Sequence, residues 1–150
     1  MLFGTHLAFG FLISLYLIDF FDIKNQILFI IVLIFFSIFP DIDRSTSKVY
    51  KKLKPFSYFA IIFGHRNIFH TIYLPLLIST IFFIFDQKLI SMAVFIGYSL
   101  HLLLDSLTKN GIKWFYPLIQ KRVAGPLKTG SFIESGIFAA LIILIVLKLV

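Results

Sequence analysis

Apolar residues fall in five continuous runs, at roughly 2–18, 26–40, 68–85, 89–107 and 132–149, and the segments between them hold nearly all the charge. Continuous runs predict helices, because the strands of a membrane barrel would alternate in polarity; a helix crossing a hydrocarbon core needs about 20 apolar residues. The second run is short for that purpose. Between the second and third runs lie the polar, basic stretch from Asp41 to Lys54, then Pro55, then an apolar segment from Phe56 to Gly64. That last segment is too short to span alone and reads as an interfacial helix or as the entry to the third span. The pattern predicts an all-α fold, a polytopic membrane helical bundle of about five transmembrane helices, with residues 1–150 forming a single integral membrane domain.

Composition strengthens this reading. Apolar residues make up 59% of the chain and charged residues only 14%, with a mean hydropathy of +0.99. A soluble domain carries about a quarter charged residues, so lipid is the expected solvent. The first run lacks the basic start and small-residue cleavage site of a secretory signal and is kept as a mature helix. The absence of cysteine excludes disulfides, thiolate ligands and a cysteine nucleophile.

Charge supplies an orientation. Arg44, Lys48, Lys51, Lys52, Lys54 and Arg66 follow the second run, and Lys109, Lys113, Lys121, Arg122 and Lys128 follow the fourth, whereas the opposite side holds Lys24, Lys88 and Lys148. The positive-inside rule then puts the basic loops and the N-terminus in the cytoplasm of a cell-membrane (inner-membrane) protein. The net charge of +7 reads as topology and as attraction to anionic lipid head groups. These loops carry no nucleic-acid motif, so membrane lipids are the expected partners and no nucleic acid is predicted; the pattern leaves oligomeric state open.

The remaining ionisable residues choose the same end of the helices. His6, Asp41, Asp43, His65, His70, His101, Asp105 and Glu134 all fall near the face of the basic loops, while Asp19, Asp22 and Asp86 sit in the opposite turns. Ionisable groups cost about 3 kcal/mol each at a bilayer centre and less near its interface, and a divalent cation offsets that cost for imidazole and carboxylate together. His101 and Asp105, four apart, share one helix face. Asp41 and Asp43 flank an irregular turn after Pro40, and a break near Gly64 would let both His65 and His70 turn inward. A nitrogen and oxygen donor set of this kind suits zinc, manganese or iron and does not rank them. Each residue also has a plainer explanation: an intrahelical hydrogen bond for His101 and Asp105, helix termination for the two aspartates, a membrane-boundary charge for Arg66. For Glu134 the capping box Ser131-Phe132-Ile133-Glu134 outranks ligation.

Thr5-His6, Phe39-Pro40-Asp41-Ile42-Asp43, Gly64-His65-Arg66 with His70-Thr71, and Gly97-Tyr98 leading into His101-Leu102-Leu103-Leu104-Asp105, continued by Thr108, Gly111, Trp114 and Pro117, occur in an order that resembles the YdjM-like family of predicted membrane-bound metal-dependent hydrolases. A weaker similarity links the order His6, Asp41 or Asp43, His65 or His70, then His101 with Asp105 to helical zinc-dependent phospholipases C and single-strand nucleases. That similarity implies phosphoester hydrolysis. Because no histidine follows Asp105, it extends to one or two ions rather than three.

The expectation is therefore a membrane hydrolase in which His6, Asp41, Asp43, His65, His70, His101 and Asp105 supply ligands, Asp43 and His70 move protons, and Arg66 meets negative charge on a lipid or lipid-linked phosphoester. A metal or proton transporter and a non-catalytic membrane protein with a structural metal are the competing readings.

Overall fold

A computed structural model describes residues 1–43 and 69–150 of the chain. Its described residues are helical apart from turns and two isolated β-bridges. The helices are α1 (Phe3–Phe21), α2 (Gln26–Ile38), α3 (Tyr73–Ile84), α4 (Lys88–Ser106) and α5 (Phe132–Leu149), with a 3-10 turn at Phe39–Asp43 after α2. The all-helical membrane bundle expected from the apolar runs is thus present.

Three of these helices, α1, α4 and α5, are long and apolar enough to cross a membrane. Helices α2 and α3 have 13 and 12 residues, which at 1.5 Å per residue give about 20 and about 18 Å against a core of about 30 Å. The expected third span from residue 68 accordingly shrinks. Pro75 lies in the first turn of α3, where its missing N–H goes unneeded; further back its ring would clash with the Thr71 carbonyl. The chain before Tyr73 instead forms a turn, and that turn carries His70.

Asp22 and Asp86 close the tight turns at the far end of the bundle with φ values of 47° and 57°. Short polar side chains tolerate this left-handed region better than apolar ones do, which gives both residues a turn-forming role beyond solvation.

Helix α4 packs against α2 and α3, α2 also packs against α1, and α5 packs chiefly against α1. Gly97 sets the closest approach: a Cβ there would lie 2.3 Å from the backbone oxygen of Leu33. Gly10 plays the same part between α1 and α2, where a Cβ would meet Ser37 Oγ at 2.6 Å. Phe29, Leu33 and Ala93 fill one core layer, and Tyr98, Leu102 and Ile112 another nearer the ionisable end. Most of α5 leaves apolar side chains exposed, as a lipid-facing helix should.

Candidate metal centre

The ionisable side chains meet where α2 and α4 end and where α1, α3 and α5 begin. His6 stands in the first turn of α1, Asp41 in the 3-10 turn, His70 in the turn before α3, and His101 with Asp105 in the last two turns of α4. His6 and His101 are buried. One ligand atom each from Asp41, His70, His101 and Asp105 lies within 4.8 Å of all the others. His70 Nε2 is 4.0 Å from Asp41 Oδ1 and 3.7 Å from Asp105 Oδ2, and His101 Nε2 is also 3.7 Å from Asp105 Oδ2. Four donors placed about 2.05 Å from a tetrahedral zinc would stand about 3.3 Å apart, so this spread is slightly wider than a closed coordination shell.

Helix packing orients His101. It lies one turn beyond Gly97, and Ser37 lies one turn beyond Leu33, so the close contact of Gly97 with Leu33 also brings the imidazole to the end of α2. There Ser37 contributes one of the last four carbonyls of the helix, which have no partner within it. His101 Nδ1 lies 2.9 Å from that carbonyl oxygen and donates to it, since a carbonyl can only accept. Nε2 then faces the cluster, and it has no hydrogen bond among the described residues. A buried nitrogen lone pair aimed beside a carboxylate lacks a positive partner, and a cation between them supplies one.

Asp105 divides the cluster. Its Oδ2 faces His70 and His101, whereas Oδ1 lies 3.3 Å from His6 Nε2 and pairs with the amino group of Met1. The His6 ring stacks on that of His101, with centroids 4.1 Å apart and planes inclined by 16°. Neither ring nitrogen of His6 makes a hydrogen bond among the described residues. His6 therefore borders the four-residue group on the opposite side of the bridging carboxylate.

Glu134 stays outside the group. Ser131 Oγ accepts from Glu134 N at 3.4 Å, as an N-cap should. The carboxylate, however, does not close the reciprocal half of a capping box at Ser131. It accepts from Gly130 N at 2.6 Å, from Leu2 N at 2.6 Å and from Thr5 Oγ1 at 3.2 Å, tying the start of α5 to the start of α1 one residue from His6. Among the expected site residues, His65 and Arg66 and the side chain of Asp43 lie outside the described residues.

Sequence reasoning missed Ser37 and the structural part of Gly97. The one available signal was a pair of small residues in otherwise bulky apolar runs, each four positions before a candidate ligand.

Over residues 1–149 the chain matches the family described as YdjM inner membrane protein. It belongs to the YdjM family. The motifs that suggested this membership, from His6 to Asp105, contribute the side chains that the fold gathers. The chain is also similar to the Bacillus subtilis (strain 168) protein named "Uncharacterized protein YvsG", 37% identical over 111 residues that cover 70% of this chain and 68% of that one. No solved structure matches.

Proposed function

We propose that this YdjM-family membrane protein is a metal-dependent hydrolase that cleaves a phosphoester, on a lipid or lipid-linked substrate, at the cytoplasmic face. The observation that carries the reading is the unbonded, buried Nε2 of His101 directed at Asp105 Oδ2, with one ligand atom each of His70 and Asp41 within 4.8 Å. Zinc suits this mixture of imidazole and carboxylate, with manganese or iron as alternatives. Such an ion supplies Lewis acidity, acidifying water and polarising the bond to be cleaved.

The protein's own groups have distinct parts. Asp41, His70, His101 and Asp105 bind the ion, and the Ser37 carbonyl holds His101 in the tautomer that leaves Nε2 available. His6, whose Nε2 lies 3.3 Å from Asp105 Oδ1 on the far side of that carboxylate, would hold a second ion or shuttle a proton. Asp43 is the further candidate for proton transfer, and Arg66, through its paired N–H groups, for meeting phosphoryl charge. The basic residues after α2 and α4 support a cytoplasmic orientation. A site at the end of the bundle, beside the lipid-facing surfaces of α1 and α5, favours a substrate drawn from the leaflet.

Purified protein in detergent, supplied with zinc or manganese and offered a phosphodiester reporter and a panel of phospholipids, tests the reading. Turnover that disappears in Asp105→Ala and His70→Ala supports it. Metal-loaded protein that hydrolyses none of these phosphoesters, or variants as active as the parent, would count against it.

A further inference from the structure

The segment from residue 107 to 131 joins the end of α4 to the start of α5. Both are candidate membrane spans, so the segment is held at one membrane face whichever way the chain is oriented. It is folded rather than loose. Thr108 bridges to Leu127 and Ile112 to Val123, Lys109 N donates to Leu127 O at 2.7 Å, and a Cβ on Gly125 would meet Leu107 O at 2.4 Å. Its inner side is fastened to the bundle. Ile112 is buried with Tyr98 and Leu102, Trp114 Nε1 donates to Ser106 Oγ at 2.7 Å, and Ile72 N donates to Trp114 O at 2.9 Å.

The other side has a composition that water does not explain. Phe115, Leu118 and Ile119 are exposed, Leu118 by 80% of its surface. Lys113, Lys121 and Arg122 surround them in sequence, and no acidic residue occurs between Asp105 and Glu134. A purely topological loop needs the cations but not an ordered apolar tip. An interfacial element needs both, because its apolar side chains enter the acyl boundary while lysine and arginine stay at the phosphates. A neutral surface would satisfy only the apolar half of this arrangement, and an anionic one satisfies both.

We infer that residues 113–123 form a membrane-interface plate that binds the head groups of anionic phospholipids in the leaflet bordering the His and Asp cluster. Head-group binding of this kind requires no hydrolytic step. The chain has no cysteine, so Leu118→Cys carries a single nitroxide without background labelling. The labelled chain is placed in nanodiscs of phosphatidylcholine alone or of phosphatidylcholine and phosphatidylglycerol in equal parts, and collision rates with oxygen and with a water-soluble nickel chelate are measured. The expected result is a label favouring oxygen over the chelate in the anionic bilayer. In phosphatidylcholine alone, and in the added pair Lys121→Glu and Arg122→Glu, chelate collisions should rise several-fold. Three outcomes would overturn the inference: water-like chelate access in both bilayers, equal depth in both, or protection from both reagents, which would mark a protein interface instead.

Discussion

His101 Nδ1 donates to the carbonyl oxygen of Ser37 across 2.9 Å, and this hydrogen bond between α4 and α2 decides which ring nitrogen the cluster receives. It depends on helix separation more than on either side chain. Anything that moves α4 away from α2 should therefore disturb ligand geometry without removing a ligand.

Gly97→Ala is the sharpest such change. The added methyl would lie 2.3 Å from the Leu33 carbonyl oxygen, and backbone cannot rotate away as a flexible side chain can. The cost should fall in the overpacking range of about 1–3 kcal/mol. Thermal unfolding in detergent should show a lowered midpoint. Isothermal titration should show weaker metal binding, by about 10- to 100-fold, the range for losing an outer-sphere partner. A midpoint and affinity equal to the parent would contradict the close-packing role.

Glu134 should behave in the opposite way. Glu134→Ala leaves Leu2 N, Gly130 N and Thr5 Oγ1 without their acceptor, and each such loss costs about 1–3 kcal/mol where the group stays buried. Glu134→Gln keeps one oxygen and should cost less. Neither change removes a member of the four-residue cluster, so metal stoichiometry at saturation should hold while stability falls. Loss of stoichiometry in the glutamine variant would instead make Glu134 a ligand.

The ligands should also differ in weight. Asp41 and His70 belong to the compact group, whereas His6 meets the other oxygen of Asp105. At one ion per chain, Asp41→Asn and His70→Ala should lower affinity more than His6→Ala does. Titrations of the three variants against zinc check the order. A larger loss in His6→Ala would shift the centre toward Oδ1.

Acidification should weaken the ion. Protons compete for the imidazoles and carboxylates that must be unprotonated to ligate, so affinity should fall as pH is lowered from about 7.5 to about 5.5 and recover on return. Zinc affinity by competition with a chelator checks the sign. Affinity that stays constant or rises on acidification would count against an imidazole and carboxylate site.

Much of this arrangement was legible in the residues. Polar side chains at alternate ends of successive apolar runs implied one shared slab, and the i to i+4 spacing of His101 and Asp105 implied one helix face. The continuous apolar runs implied the helices but overestimated α3, because hydropathy does not register that Pro75 sets a helix start. The orientation of His101 was out of reach for a different reason. It depends on a backbone carbonyl at the end of another helix, and a carbonyl has no letter in the sequence. The Ser131 cap on Glu134 N is a local feature that spacing encodes, but the Glu134 carboxylate leaves the expected capping box open and reaches Leu2 and Thr5, positions far apart in the chain that local spacing does not encode.

Metal content of the purified protein, measured by elemental analysis after equilibration with zinc and removal of loosely held ions, decides whether the cluster is a metal centre. One or two ions per parent chain are expected, with binding lost in both His101→Ala and Asp105→Ala and all three proteins still folded by circular dichroism. A folded parent chain that retains no divalent ion, or variants that retain as much as the parent, would contradict that assignment.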